Sequence, residues 1–173
     1  MKVYLAIITK SPWPRGRIGK VKNQDWYQTC VKAELLHEQI PGSEVLFSGA
    51  THVIDAEPEA LYYERAMIHL GVPMINLGKG YETTEQLEVY KEKAEVDSAQ
   101  LIFLTTWSHY LRVLFLCKVK KIKAKVVACS GYPRPTELFT DILLTFLYPV
   151  IYWLGLENWF LKKVVERRLK RKL

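Results

Sequence analysis

Cysteine is scarce in this chain: three occur among 173 residues, Cys30, Cys117 and Cys129. They are far apart, odd in number and form no Cys-x-x-Cys pair. That pattern argues against a disulfide framework and against a zinc site, and it fits a reducing compartment such as the cytoplasm. Familiar catalytic signatures are missing as well. No Gly-x-Gly-x-x-Gly follows the first apolar run, where "TKSPWPRGRIG" stands instead, and the chain has no Walker-A box, no Gly-x-Ser-x-Gly and no His-Glu-x-x-His. The common nicotinamide, P-loop, hydrolase-elbow and zinc mechanisms therefore have no support, and no metal is expected. The opening "MKVYLAIITK" lacks a long apolar stretch and a small-residue cleavage site, so no signal peptide is expected. The run is also far too short to span a bilayer. Neither an internal repeat nor a low-complexity linker interrupts the sequence.

What is present is ordinary for a globular protein: 49% hydrophobic and 25% charged residues, in a length that suits one domain with a substantial core. The formal charge of +7 is unevenly placed. The last twelve residues, "KKVVERRLKRKL", hold seven Lys/Arg and one Glu, a net +6, which leaves +1 for all the rest. The basic balance describes a tail. Without a recognisable nucleic-acid motif, no nucleic-acid partner is expected.

Short apolar runs alternate with amphipathic ones. "VYLAIIT" (3–9), "EVLFSG" (44–49), "VPMINLG" (72–78), "QLIFLTT" (100–106) and "AKVVACS" (124–130) read as strands that are apolar throughout. Between them, 23–40, 57–71, 82–96 and 109–119 read as helices. The first places Trp26, Cys30, Ala33, Leu36 and Ile40 at helical spacing, and the third opens on threonine with glutamate nearby. Strands without polar alternation are buried on both faces, as in parallel sheets covered by helices. The expected fold is α/β: a single Rossmann-like domain over 1–135 with a mostly parallel five-stranded sheet, followed by a helical extension over 136–173.

In that extension, residues 138–156 carry one charge, Asp141, and as a helix would reach about 28 Å at ~1.5 Å per residue. A carboxylate at the centre of a bilayer is costly, so a long helix packed on the sheet, or two halves meeting at Pro149, is favoured over a membrane span. Beyond it, Leu161, Val165, Leu169 and Leu173 recur every fourth residue among basic side chains, with Trp153 and Trp159 upstream. Residues 157–173 thus read either as an interfacial helix for an anionic membrane surface or as a solvated terminal helix docked by its apolar stripe.

Ligands of open parallel sheets bind beyond the carboxyl ends of the strands, so the residues following each strand carry the functional argument. After the second strand, Ser48 and Gly49 make a small turn that lets a ligand approach the backbone. After the third, "GKGYETTEQ" offers Lys79 and a helix N-terminus suited to an anion. After the fourth, "LTTWSHYLRV" concentrates Thr105, Thr106, Ser108, His109 and Arg112. His109 and Arg112, three apart, lie on one helical face. The planar guanidinium suits a carboxylate or phosphate, and His109 is the obvious proton shuttle, compatible with group transfer or hydrolysis. Thr83 would orient a ligand, and Glu85 would accept from a ribose diol or amino group. Each has a structural alternative: Thr106 or Ser108 as a helix cap, Glu85 as a partner of the helix dipole, Arg112 paired with Glu59 or Glu64, His109 as a satisfied structural histidine.

The order of these segments, Ser48-Gly49-Ala50, Glu59-Ala60, Gly71-Val72-Pro73, Glu82-Thr83-Thr84-Glu85-Gln86 and Leu104 through Val113, resembles the SanA/ElyC/YdcF family over about residues 3–130. In the family pattern asparagines stand where Glu82 and Gln86 stand here, a second glycine at Ala50, and an alanine at Val113. The resemblance implies a Rossmann-like fold and puts Ser48, Gly49, Glu59, Thr83, Glu85, Thr105, His109 and Arg112 in the site. It also implies a nucleotide-like anionic ligand such as S-adenosylmethionine and a link to envelope pathways, which places the protein at the inner face of the membrane. It implies no particular reaction.

Overall fold

Tyr4, Leu5, Ala6 and Ile7 are all buried, so β1 (Val3–Ile7) has no solvent face and must run through the middle of a sheet. In the computed structural model, which describes residues 2–9, 23–48, 53–54, 57–78, 80, 82–133 and 135–170, β1 is the central strand. Only the backbone is described at 53–54, 57–60, 136–137, 165 and 167–170. Its neighbours are β2 (Ser43–Phe47) and β6 (Gln100–Thr106), flanked in turn by β5 (Met74–Asn76) and β7 (Ala124–Cys129). The order β5-β2-β1-β6-β7 is parallel throughout, which makes the fold α/β and Rossmann-like. The expected "mostly parallel" sheet is thus wholly parallel. An antiparallel pair, β3 (Val53–Ile54) with β4 (Glu57–Pro58), stands outside it.

Side-chain alternation divides two cores. Leu5, Ile7, Val45, Phe47, Ile102 and Leu104 point to one face, where Trp26, Cys30 and Ala33 of α1 (Asp25–Gln39) and Tyr63 and Met67 of α2 (Glu59–Leu70) cover them. Tyr4, Ala6, Leu46, Leu101 and Phe103 point to the other. There they meet Leu87 and Tyr90 of α3 (Thr83–Val96), Val113 and Leu116 of α4 (Tyr110–Val119), and Tyr148 of α5 (Pro135–Trp153). Each face follows the period-2 rule, and the helices supply their apolar stripes at 3.6-residue spacing. The three cysteines are buried thiols of these cores. Burial raises the pKa of each, with Cys117 and Cys129 pushed up to about 11.

The extension is two helices, α5 and α6 (Glu157–Lys170), separated by a turn through Gly155, whose φ is +68°. Pro149 lies inside α5 without ending it. α6 docks through Phe160, edge-on to Tyr148 at 5.4 Å between ring centroids. Among the described residues no helix is long and apolar enough to cross a membrane.

Candidate functional site

The strand order reverses direction between β1 and β6, so the carboxyl ends of these two strands mark the switch point at which open parallel sheets hold their ligands. Four buried hydroxyl residues mark that rim: Thr9 after β1, Ser48 after β2, and Thr105 and Thr106 closing β6. The first two are tied down by α3. The Tyr90 hydroxyl accepts from the Ser48 amide and donates to the Ile7 carbonyl, bridging two strand ends with one phenol. Gln86 accepts from the Thr9 amide at 3.1 Å and donates to its hydroxyl at 2.7 Å, and that hydroxyl donates to the Ser48 carbonyl at 3.0 Å. Gln86 thus holds the rim together. Gly80 is required beside it: its φ is +92°, and a Cβ there would meet Gln86 at 3.0 Å.

The N-terminus of α3 is capped by Glu82 rather than by a threonine. One carboxylate oxygen accepts from the Thr84 amide at 2.7 Å and the other from the Tyr148 hydroxyl. Thr83, the next residue, is buried with its hydroxyl 3.3 Å from His109 Nε2. Glu85 is half-buried in the same first turn. α3 and the turn after β6 thus meet at the Thr83–His109 hydrogen bond.

Trp107–His109 form a single 3-10 turn before α4, and neither Thr106 nor Ser108 caps it. Thr106 faces the Ser108 hydroxyl at 3.3 Å, and Ser108 donates to Asp141 Oδ2 at 2.8 Å. Trp107 turns outward, its indole N–H donating to the Gly131 carbonyl at 3.0 Å.

Arg112 is buried and pairs with Asp141 rather than with Glu64, while the side chain of Glu59, the other expected partner, lies outside the described residues. Arg112 Nη2 lies 3.2 Å from Asp141 Oδ1, with both side chains only 6% exposed. Its guanidinium carbon stands 5.6 Å from the centre of the Tyr148 ring. This explains the lone charge in the apolar stretch. Asp141 turns inward from α5 to neutralise a buried cation, which it must have to remain charged away from water. The pairing still leaves Arg112 Nε and Nη1 and the Thr105 hydroxyl without a hydrogen-bond partner among the described residues.

Gly49 and Lys79 lie outside the described residues, as does the side chain of Glu59, which opens α2. Ser48, Thr105, Thr106, Thr83, His109 and Arg112 come together at the rim, with Glu85 alongside in the first turn of α3. Sequence reasoning missed Thr9, Glu82, Tyr148 and Asp141 as parts of the same constellation. For Asp141 a signal existed: one carboxylate among apolar neighbours needs a cation, and Arg112 is the buried one. Among the described residues no cluster of His, Cys, Asp and Glu is arranged to hold a metal ion. No family model, no curated protein and no solved structure matches this chain.

Proposed function

We propose that the protein binds a small nucleotide-like metabolite bearing a carboxylate or phosphate group above the β1/β6 switch point, in the manner of the YdcF-like proteins it resembles, with S-adenosylmethionine, through its carboxylate, as the first candidate. The observation that carries this reading is Arg112: a guanidinium buried at the ligand-binding end of a parallel sheet, with Nε and Nη1 unpaired among the described residues. Leaving donors of a buried charge unsatisfied is unfavourable, and a carboxylate or phosphate oxygen satisfies them in the guanidinium plane. Asp141 already balances the charge, so the ligand meets a hydrogen-bonding fork in a neutral setting rather than a net positive field. This suits a group carrying both signs, such as an amino-acid carboxylate and ammonium. The Thr105 hydroxyl supplies a further donor, and Glu85, Lys79 and Ser48 would orient the remainder. His109 is the candidate proton shuttle should the bound metabolite undergo transfer or hydrolysis, with the Thr83 hydroxyl fixing its ring. On this reading the protein works in the cytoplasm at the inner membrane face, in an envelope-related step.

The test is thermal stabilisation by S-adenosylmethionine, ADP and inorganic pyrophosphate, together with mass spectrometry of small molecules released from the purified protein. A ligand at a hundred times its Kd adds about 2.7 kcal/mol, roughly 5–10 °C for a chain of this length. The paired change Arg112→Met with Asp141→Leu removes the fork without stranding a charge. It is expected to fold and to lose the stabilisation, and His109→Ala to weaken it. Equal stabilisation of wild type and the paired variant would end the assignment.

A further inference from the structure

The inner face of α5 is accounted for by Asp141, Tyr148 and Ile151, all buried against the domain. The outer face is not. Phe139, Ile142, Leu143, Phe146, Val150 and Trp153 succeed one another at helical spacing and are all exposed, Phe146 at 74% and Trp153 at 84%. The stripe carries no charge, because the single charged residue of 138–156 is Asp141, which points inward. It continues round the turn through Leu154 and Leu156 to Trp159, also exposed. There α6 begins, and its exposed Lys162 and Lys163 lead into the basic end, net +6 over the last twelve residues. An unbroken apolar face of this length is unusual on a protein surface and marks a contact.

We infer that the α5–α6 hairpin is a monotopic membrane-docking element that lays the outer face of α5 into the headgroup boundary of an anionic bilayer. The charge decides the occupant. A second copy of this chain would bring an identical positive tail, whereas an anionic lipid surface offers apolar depth and opposite charge in one continuous plane. Trp153 and Trp159, at the junction of the apolar stripe and the basic helix, stand where amphipathic rings settle at a membrane–water boundary. Because Asp141 and Tyr148 bind α5 to the domain, the helix lies in the interface with one face only. The contact thus goes beyond the one expected of residues 157–173: the apolar stripe of α5 supplies the depth, and the basic end supplies the attraction.

The experiment is flotation of the full chain with vesicles of phosphatidylcholine alone and of phosphatidylcholine with an equal part of phosphatidylglycerol. Wild type is expected to float with the anionic vesicles. Phe139→Glu with Phe146→Glu, at two exposed positions, is expected to lower the bound fraction about tenfold or more while leaving the circular dichroism unchanged. A second readout needs no surface variant: brominated lipid should quench tryptophan emission in wild type and quench it less in Trp153→Phe. The inference is overturned if wild type stays with the unbound fraction. Equal flotation of the Phe→Glu pair would assign binding to the basic end alone. A vesicle-independent dimer that the same pair converts to monomer would assign the face to a second copy.

Discussion

Arg112 and Asp141 show how much one pair can carry. Removing one partner strands the other inside the protein, so Arg112→Ala is expected to cost about 3–5 kcal/mol in urea unfolding. Arg112→Met with Asp141→Leu should recover most of that loss, since apolar side chains of similar volume replace a buried ion pair at little cost. A structural role alone predicts this recovery and nothing more. The ligand-binding role adds that the recovered protein no longer responds to S-adenosylmethionine or to the other probes. Tyr90 makes a similar argument without charge. Its hydroxyl serves both the Ser48 amide and the Ile7 carbonyl, and Tyr90→Phe removes both of these buried hydrogen bonds. That should cost about 1–3 kcal/mol by the same measurement. At this scale the sequence was legible in part. His109 and Arg112 could be placed on one face by spacing, but their partners Thr83 and Asp141 come from other helices, and no local pattern pairs them.

At the scale of elements, ends and junctions decide what the strands and helices can do. Gly131 lets the segment after β7 pass the start of α1, where Asp25 donates its amide to the Tyr132 carbonyl at 3.3 Å. Its φ is +123°, and a Cβ there would stand 2.5 Å from Asp25 Cα. Gly131→Ala should therefore destabilise by more than the about 1–3 kcal/mol of backbone strain alone, read as a lowered urea midpoint. The C-terminal end of α3 gives a pH prediction. The Asp97 carboxyl accepts from Lys93 and from the Tyr4 hydroxyl, and these contacts hold its pKa below the usual carboxylate value. A depressed folded pKa contributes stability above the unfolded value of about 3.9, and that contribution is lost as pH falls through the lower folded value. Asp97→Asn should thus be less stable than wild type at neutral pH and converge with it in acid, as measured by unfolding midpoints across pH. Strand identity was legible because apolar runs without alternation admit few other readings. Strand length was not: the 72–78 run yields only Met74–Asn76, since β5 is an edge strand paired on one side.

Across the whole molecule, the two cores and the rim form one packed unit in which every cysteine is covered. Cys30, Cys117 and Cys129 are expected to stay silent to a thiol reagent at pH 8 in the native protein and to react together on denaturation, because burial both shields the thiols and raises their pKa. A thiol that reacts before the unfolding transition would mean that its core opens locally. The outer helices complete the design at this scale. α5 contributes Tyr148 to the core and Asp141 to the buried pair with Arg112 while turning its apolar stripe outward, so one element both completes the interior and presents a long apolar face.

By itself the sequence determined the α/β class, five strands, the helices between them and the clustering of Thr105, Thr106, His109 and Arg112 within eight residues. All of these follow from periodicity and from composition within short windows, where neighbouring residues share one environment. Only the tertiary structure decided that Asp141 answers Arg112, that Gln86 and Tyr90 clamp the strand ends, and that the long apolar helix has one face in the domain and one outside. Those outcomes depend on which distant segments the sheet order brings side by side. A buried charge or an exposed stripe is defined by what stands across from it, and a linear pattern does not contain that.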